Sequence, residues 1–307
     1  MAMAVKGENL VVTKLKLERM LSMKGGKGET SYLKNSQAQA RHARAMLHFL
    51  EATLSAMKLP LLEDGGTFAV ADLGCSCGTN TLFLMGIIVK HVPDTVTDKR
   101  SPAYNRGRVF VHGASADTAA AYKQQFQADL ASFLRARAVE MKVGGIMFLV
   151  CLGRTSIDPV DQGGAGFLFG AHFQDAWNDL VEEGLLDSEK RDSFNIPVYA
   201  ACLREFEEVV KAEGSLSINK LQVVNGGSPL VVDHPEDASE VGRALANSCR
   251  SVAGVLVEAH IGERLSEELF GRLELRAARH ARELMAQMQF FHIVASLSPS
   301  VPPHPAS

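Results

Sequence analysis

Residues 68–81, F-A-V-A-D-L-G-C-S-C-G-T-N-T, constrain the fold more than any other stretch of this chain. Phe68, Val70, Ala71 and Leu73 predict a buried strand, with Asp72 near its carboxyl end. Gly74 and Gly78 let the backbone come close to a ligand. Thr79 or Asn80 caps the next helix, T-L-F-L-M-G-I-I-V-K. In open α/β sheets such a strand-to-helix turn is where ligands sit. Two chemistries compete for it. One is a nucleoside-binding turn, in which Asp72 holds the ligand's amino group directly or through water. The other is a G-x-S-x-G nucleophile elbow with Ser76 as the nucleophile. That elbow needs an acid and then a histidine downstream, for which Asp158 or Asp192 and then His234, His260 or His292 qualify. Among 10 histidines such a coincidence carries little weight. The elbow also normally comes after several strands, whereas this one ends the first. A structural glycine turn without a ligand is the third reading.

Composition removes several function classes. The 32 basic and 35 acidic residues give a net charge of -3, so no nucleic-acid or membrane footprint stands out. Five cysteines without regular spacing predict a reducing compartment rather than a disulfide framework. The longest apolar runs, such as residues 146–152, have strand length, far short of the ~20 residues of a membrane span. The first residues lack the apolar core of a signal peptide, and the expected location is cytoplasmic. The proline-rich residues 298–307 are expected to be disordered.

Along the chain, K-G-G-K-G-E-T-S-Y (24–32) reads as a solvated loop or as a lid that ends in Tyr32. A helix is expected over 37–58, with Gln39 near its start. After the glycine turn and its helix, a second parallel strand and an acid ~20 residues beyond the turn should appear. Instead residues 92–107 are polar and turn-rich, and the next strand predicted is short, 108–112. Tyr122, Phe126, Leu130, Phe133, Leu134, Ala138 and Met141 then mark one helical face. Gly144 and Gly145 stop that helix before a strand at 146–152. A loop at 161–166, a helix at 172–183, a turn at 192–197 and a helix at 202–213 come next. A strand at 216–224, helices at 236–260 and 263–288 and a last strand at 290–297 complete the chain, with Pro235 at the start of the first of those helices. The final strands fit an antiparallel pair at one sheet edge. The chain reads as one domain, 1–307, in which 155–213 and 236–260 form an α-helical cap.

Four motifs occur in order: K-G-G-K-G-E-T-S-Y-x-x-N-S-x-x-Q (24–39), D-L-G-C-S-C-G-T-N-T (72–81), G-G-x-M-F-L-x-x-L-G-R (144–154) and D-S-F-N-I-P-x-Y (192–199). Together they resemble the SABATH family of plant carboxyl methyltransferases, over about residues 15–297. In finer detail the chain is most similar to the branch acting on indole-3-acetate. The resemblance implies an α/β fold, a class I S-adenosylmethionine-dependent methyltransferase (Rossmann-like) sheet with an α-helical cap. It also implies S-adenosylmethionine as methyl donor, a small carboxylic acid as substrate, magnesium as a further ligand and a homodimer. By motif, Tyr32, Asp72, Gly74, Cys75 and Asn80 would bind the cofactor. Tyr32, Gln39 and Gly170 would meet the substrate; Gly170 falls where salicylate- and benzoate-type members carry tryptophan, so its small size opens room for an indole ring. Asn105, Asp192, Phe194 and Asn195 match the metal positions, Phe194 through its backbone carbonyl, because hard cations take oxygen ligands. A turn held by local side-chain hydrogen bonds is the competing reading of Asp192 and Asn195.

The pattern has a hole. The family's S-D-L-P-x-N-D-F-N stretch, whose aspartate binds ribose, has no counterpart here. Neither has the stretch ending S-L-H-W-L-S, whose histidine and tryptophan fix the substrate carboxylate. The join falls at 91–93. At ~30 residues per βα unit, on the order of 60 to 90 residues are gone, and several central strands with them. Such a sheet is expected to show an exposed gap or irregular pairing. A catalytically inactive, truncated relative is therefore the second reading.

Overall fold

The structure, a computed structural model, describes residues 28–29, 47–56, 92–142 and 144–300. The expected helix at 37–58 is borne out where it is described, as α1 (Leu47–Ala56). A single 3₁₀ turn (Asp94–Val96) leads into an irregular stretch and then into α2 (Ala116–Glu140). Ser115 caps α2, its hydroxyl accepting the Thr118 N–H at 3.1 Å. Tyr122, Leu130 and Leu134 are buried on the face that the spacing predicts.

Past the two glycines runs β1 (Met147–Arg154), then α3 (Gly164–Phe169), α4 (Ala171–Glu182) and the short α5 (Ser188–Asp192). Next are β2 (Ala201–Cys202), α6 (Leu203–Glu213) and β3 (Leu216–Gly227). Gly214 ends α6 in the left-handed conformation, φ 77°, which a residue with a Cβ adopts only at a cost. The chain closes with α7 (Ala238–Ile261), α8 (Glu263–Arg279), α9 (Ala281–Gln287) and β4 (Phe290–Pro299).

The described strands form one sheet in the order β2-β1-β4-β3. β1 and β2 are parallel; β4 pairs antiparallel with both β1 and β3. The expected antiparallel edge pair is thus β3 with β4. Side-chain alternation divides the faces. Ile293, Ala295 and Leu297 point toward α2 and α6, where Leu130, Leu134, Phe206 and Val210 meet them. The other face carries Phe148, Val224 and Val294, over which Phe49 of α1 packs, its ring 5.4 Å from that of Phe148. Beside the sheet, α3, α4, α7, α8 and α9 enclose a second core around Phe173, Trp177, Leu245, Leu269 and Leu273. α6 belongs to the layer on the sheet, α3 and α4 to this helical body.

β1 pairs with β2 only at Gly153 and Arg154. On that edge Met147 to Leu152 have no strand partner among the described residues, and Val150 is 45% exposed.

Several expectations are corrected. Residues 108–112 form no strand. Their backbone groups are taken otherwise: the Val109 N–H donates to Gln174 Oε1 at 2.8 Å, the Val109 carbonyl accepts the Ile196 N–H at 2.7 Å, and Asn105 Nδ2 donates to the Phe110 carbonyl at 3.3 Å. The stretch is apolar because Val109, Phe110 and Val111 plug the helical body. The loop expected at 161–166 gives way to helix at Gly164. Pro235 is not at the start of α7; Asp237 caps it by accepting the N–H groups of Ser239 and Glu240. The helix expected over 263–288 breaks at His280. β4 extends to Pro299, and the Ser300 N–H bonds the Ser215 carbonyl at 2.9 Å, so residues 298–300 are not a disordered tail.

Candidate active site

The carboxyl ends of parallel strands define the ligand side of an α/β sheet. β1 reaches that side at Arg154, beside the start of β2 at Ala201. Arg154 is buried, its side chain 0% exposed, and its guanidinium meets Glu205 at 2.8 Å, itself 1% exposed. It also donates to the Ala200 carbonyl and lies over the Tyr199 ring. Glu205 further accepts from Tyr199 Oη at 3.1 Å and from the Cys202 N–H at 3.1 Å, with Lys123 Nζ 3.6 Å away. This ion pair fixes the strand ends to α6. Sequence reading missed it, although an arginine directly after an apolar strand is a signal that points to it.

Of the residues implicated by sequence, the structure gathers the metal set. Asn105 Nδ2 donates to Asn195 Oδ1 at 2.7 Å. Tyr122 Oη lies 3.4 Å from the same oxygen and 3.3 Å from the Ile196 carbonyl. Asp192 Oδ1 accepts the Gly107 N–H at 3.0 Å and Arg191 Nε at 2.9 Å, and Tyr104 Oη donates to its Oδ2 at 3.3 Å. Phe194 stacks on Trp177 with ring centroids 4.8 Å apart. Burial pushes the Tyr122 phenol well above its ordinary range, so it stays a donor.

This arrangement does not fit a resident magnesium ion. Both Asp192 oxygens and the Asn195 oxygen already serve protein donors, and the Arg191 guanidinium holds the carboxylate that a cation would need. The orphan in the cluster is Asn195 Nδ2, a buried donor with no partner among the described residues; it calls for an acceptor, not a cation. As they stand, these residues form a polar knot that ties residues 104–110 to the turn after α5. The competing reading, a turn held by side-chain hydrogen bonds, describes Asp192 and Asn195 as they stand.

The hydrolase reading gains no acid–histidine pair from Asp192 and His260. Asp192 is bonded as above, and His260 Nε2 lies 2.7 Å from the Lys190 carbonyl and 3.3 Å from Ser193 Oγ. Ser76, and with it Tyr32, Gln39, Asp72, Gly74, Cys75 and Asn80, lie outside the described residues.

Gly170 stands between α3 and α4, and its open space is already filled. A Cβ there would come within 2.3 Å of the Gly166 carbonyl oxygen and 2.7 Å of His112 Cδ2. A Cβ on Gly166 would meet His112 Nδ1 at 2.6 Å. The two glycines thus seat the His112 ring.

His112, His172 and His260 are all held below the ordinary imidazole value, in each case chiefly by burial. Lowered folded-state values favour the neutral rings in the fold. Stability from this source is complete above the unfolded value of about 6.5 and is lost as pH falls through it toward the folded values. Urea midpoints are expected to fall between about pH 7.5 and 5.5, and a flat profile over that range would reject the assignment.

The sheet with helices on both faces defines a mixed α/β protein. Its fold is that of a solved loganic acid methyltransferase with SAH, at a TM-score of 0.75, 22% identity and coverage of 91% of this chain and 99% of that one. A family model described as SAM dependent carboxyl methyltransferase matches residues 18–94 and 90–299. The chain belongs to this family, the SABATH carboxyl methyltransferases. It is 51% identical over 384 residues to indole-3-acetate O-methyltransferase 1 of Arabidopsis thaliana, covering 96% of this chain and 100% of the relative. It is 50% identical over 400 residues to the protein of that name from Oryza sativa subsp. japonica, covering 97% and 99%. Gibberellic acid methyltransferase 2 of Arabidopsis thaliana is 26% identical over 369 residues, 92% of this chain and 93% of the relative. Among the described residues no helix is long and apolar enough to cross a membrane.

Proposed function

We propose that this chain descends from a cytoplasmic enzyme that methylates the carboxylate of indole-3-acetate, and that methyl transfer is impaired in the chain as written. The observation that carries the lineage is the 51% identity spanning the whole of the Arabidopsis relative. On this reading Tyr32, Asp72, Gly74, Cys75 and Asn80 hold the cofactor, Tyr32 and Gln39 meet the acid, and Gly170 stands beside its ring. A homodimer, as in the family, is part of the same reading.

The chemistry asks little of acid–base residues. An arylacetic acid has a pKa near that of a glutamate side chain, ~4.3, so it arrives as a carboxylate at neutral pH. Bound S-adenosylmethionine supplies a methyl group activated by its own sulfonium. That methyl group would pass to an oxygen of the acid's carboxylate, the electron pair of the broken carbon–sulfur bond staying on sulfur. The protein's part is alignment and the exclusion of water. The want of a convincing triad in the sequence fits this.

Two observations support the impaired reading. The family model matches in two pieces that meet at 90–94, where the sequence places the join. The alignment with the Arabidopsis protein runs over 384 residues, more than the 307 of this chain, so tens of residues of the relative face gaps here. Lost with that segment are the ribose acid and the histidine–tryptophan pair that the family places there. Isothermal titration with S-adenosylmethionine is expected to show only weak binding, and no methyl ester of indole-3-acetate should form. Micromolar binding would overturn the impaired reading and leave the lineage intact.

A further inference from the structure

We propose that Asn225–Gly226, at the bulge near the end of β3, is a site of spontaneous chemical modification: the Gly226 nitrogen closes a ring on the Asn225 side-chain amide, and water opens it to aspartate or isoaspartate. The modification is independent of methyl transfer and lies outside all four sequence motifs.

This is the only Asn-Gly pair in the sequence. Glycine matters there because it has no Cβ to shield the attacking nitrogen, and because its backbone turns freely into the geometry of attack. A strand normally suppresses the reaction by committing its backbone groups to a neighbour. β3 does not do so at this point. The ladder pairs Asn225 with Phe291 and Gly227 with Phe290, and steps over Gly226. A bulged residue of this kind is left out of the pairing. Gly227 then takes φ 83°, in the left-handed region, where the strand ends. β3 is also the outermost strand on its side of the described sheet, and Asn225 is exposed, so water reaches the amide.

The side chain is held close to the backbone that attacks it. Asn225 Oδ1 accepts the Gly227 N–H at 2.8 Å, which folds the amide back over the chain in an Asx turn. That N–H donates to the oxygen on which negative charge develops when Cγ is attacked. Nδ2, the leaving nitrogen, donates to Gln289 Oε1 at 2.8 Å on the exposed side. The Gly226 nitrogen gives its proton to solvent and bonds to Asn225 Cγ. The Cγ–Nδ2 bond breaks, and Nδ2 takes a proton from water and leaves as ammonia. Water then adds to one of the two ring carbonyls. Cleavage of the new Cγ–N bond leaves aspartate; cleavage of the old backbone C–N bond leaves isoaspartate, with the chain running through Cγ. Either product adds one negative charge. Isoaspartate also inserts an extra backbone carbon between the partners of Phe291 and Phe290, and that end of the β3–β4 pairing comes apart.

The test ages the purified full chain at mildly alkaline pH, which favours loss of the nitrogen's proton, and follows it by isoelectric focusing and peptide mass spectrometry. One acidic band is expected, with the peptide spanning 225–226 converted from amide to acid and split into aspartyl and isoaspartyl isomers. Asn247–Ser248 is the internal control. It lies inside α7, which must open locally before attack, so Asn247 is expected to convert at least roughly tenfold more slowly. Asn225→Gln keeps an amide at the exposed position but would have to close a larger and less favourable ring. The acidic band should vanish in that variant, with the melting temperature unchanged. Conversion of Asn225 only after unfolding in urea would show that the strand protects it and would overturn the proposal. So would conversion of Asn247 at an equal rate, or an acidic band that persists in Asn225→Gln. An aspartyl product without isoaspartate would overturn the ring-closing route.

Discussion

Replacing Glu205 with alanine is expected to destabilise the fold by about 3–5 kcal/mol, because it strands the Arg154 guanidinium in the interior without its counter-charge. Both side chains are essentially inaccessible, and the pair closes at 2.8 Å. An exposed pair such as Lys99 with Glu189 contributes little, since water screens both charges. The buried pair differs in kind. The cost of removing one partner is the desolvation of the other, and Arg154 Nε is already a buried donor with no partner among the described residues. The Tyr199 hydroxyl and the Cys202 N–H would lose their acceptor in the same step. Against a total stability of about 5–15 kcal/mol, such a loss is a large fraction of the whole. Urea unfolding monitored by circular dichroism measures it. A loss below about 1 kcal/mol would mean that the pair is hydrated and contributes as a surface bridge does. The double replacement of Arg154→Met with Glu205→Leu should recover most of the lost stability, because no charge is then left buried.

How legible each element is in the sequence depends on how local its signal is. The α2 face, the strand before Arg154 and the helix ended by Gly184 rest on periodicity and on glycine turns, which act within a few residues. They appear where expected. Residues 108–112 do not, because three apolar residues in a row report burial and not backbone pairing; the partners of their backbone groups, Gln174 and Ile196, come from far along the chain. The break of the last long helix at His280 has no glycine or proline to announce it. The site is legible as motifs, and the structure brings four of those residues, Asn105, Asp192, Phe194 and Asn195, into one cluster. Their role is not legible. Whether an Asp and two Asn residues hold a cation or a turn depends on what else reaches their oxygens, and Arg191, Tyr104 and Tyr122 do so only in the folded chain. The same holds for Gly170. Sequence comparison shows a missing side chain, and only the fold shows that His112 has taken its room.

Gly170 therefore carries the second large expectation. If its small size simply left a void for a substrate ring, alanine would be tolerated there and tryptophan would merely narrow the pocket. The structure requires otherwise. A Cβ at 170 meets the Gly166 carbonyl oxygen at 2.3 Å, and that atom belongs to the backbone of α3 and cannot swing aside. Gly170→Ala is expected to cost about 1–3 kcal/mol or more through forced displacement of α3 against α4. Gly170→Trp makes both collisions worse and should leave little folded protein at about 37 °C. A companion change separates the two contacts. His112→Ala removes the ring 2.7 Å from the new Cβ but not the carbonyl, so it should rescue Gly170→Trp only in part and Gly170→Ala hardly at all. Thermal melts of these single and double variants decide the matter. Full rescue of Gly170→Ala by His112→Ala would show that the imidazole alone excludes a side chain, and that the helix junction can yield.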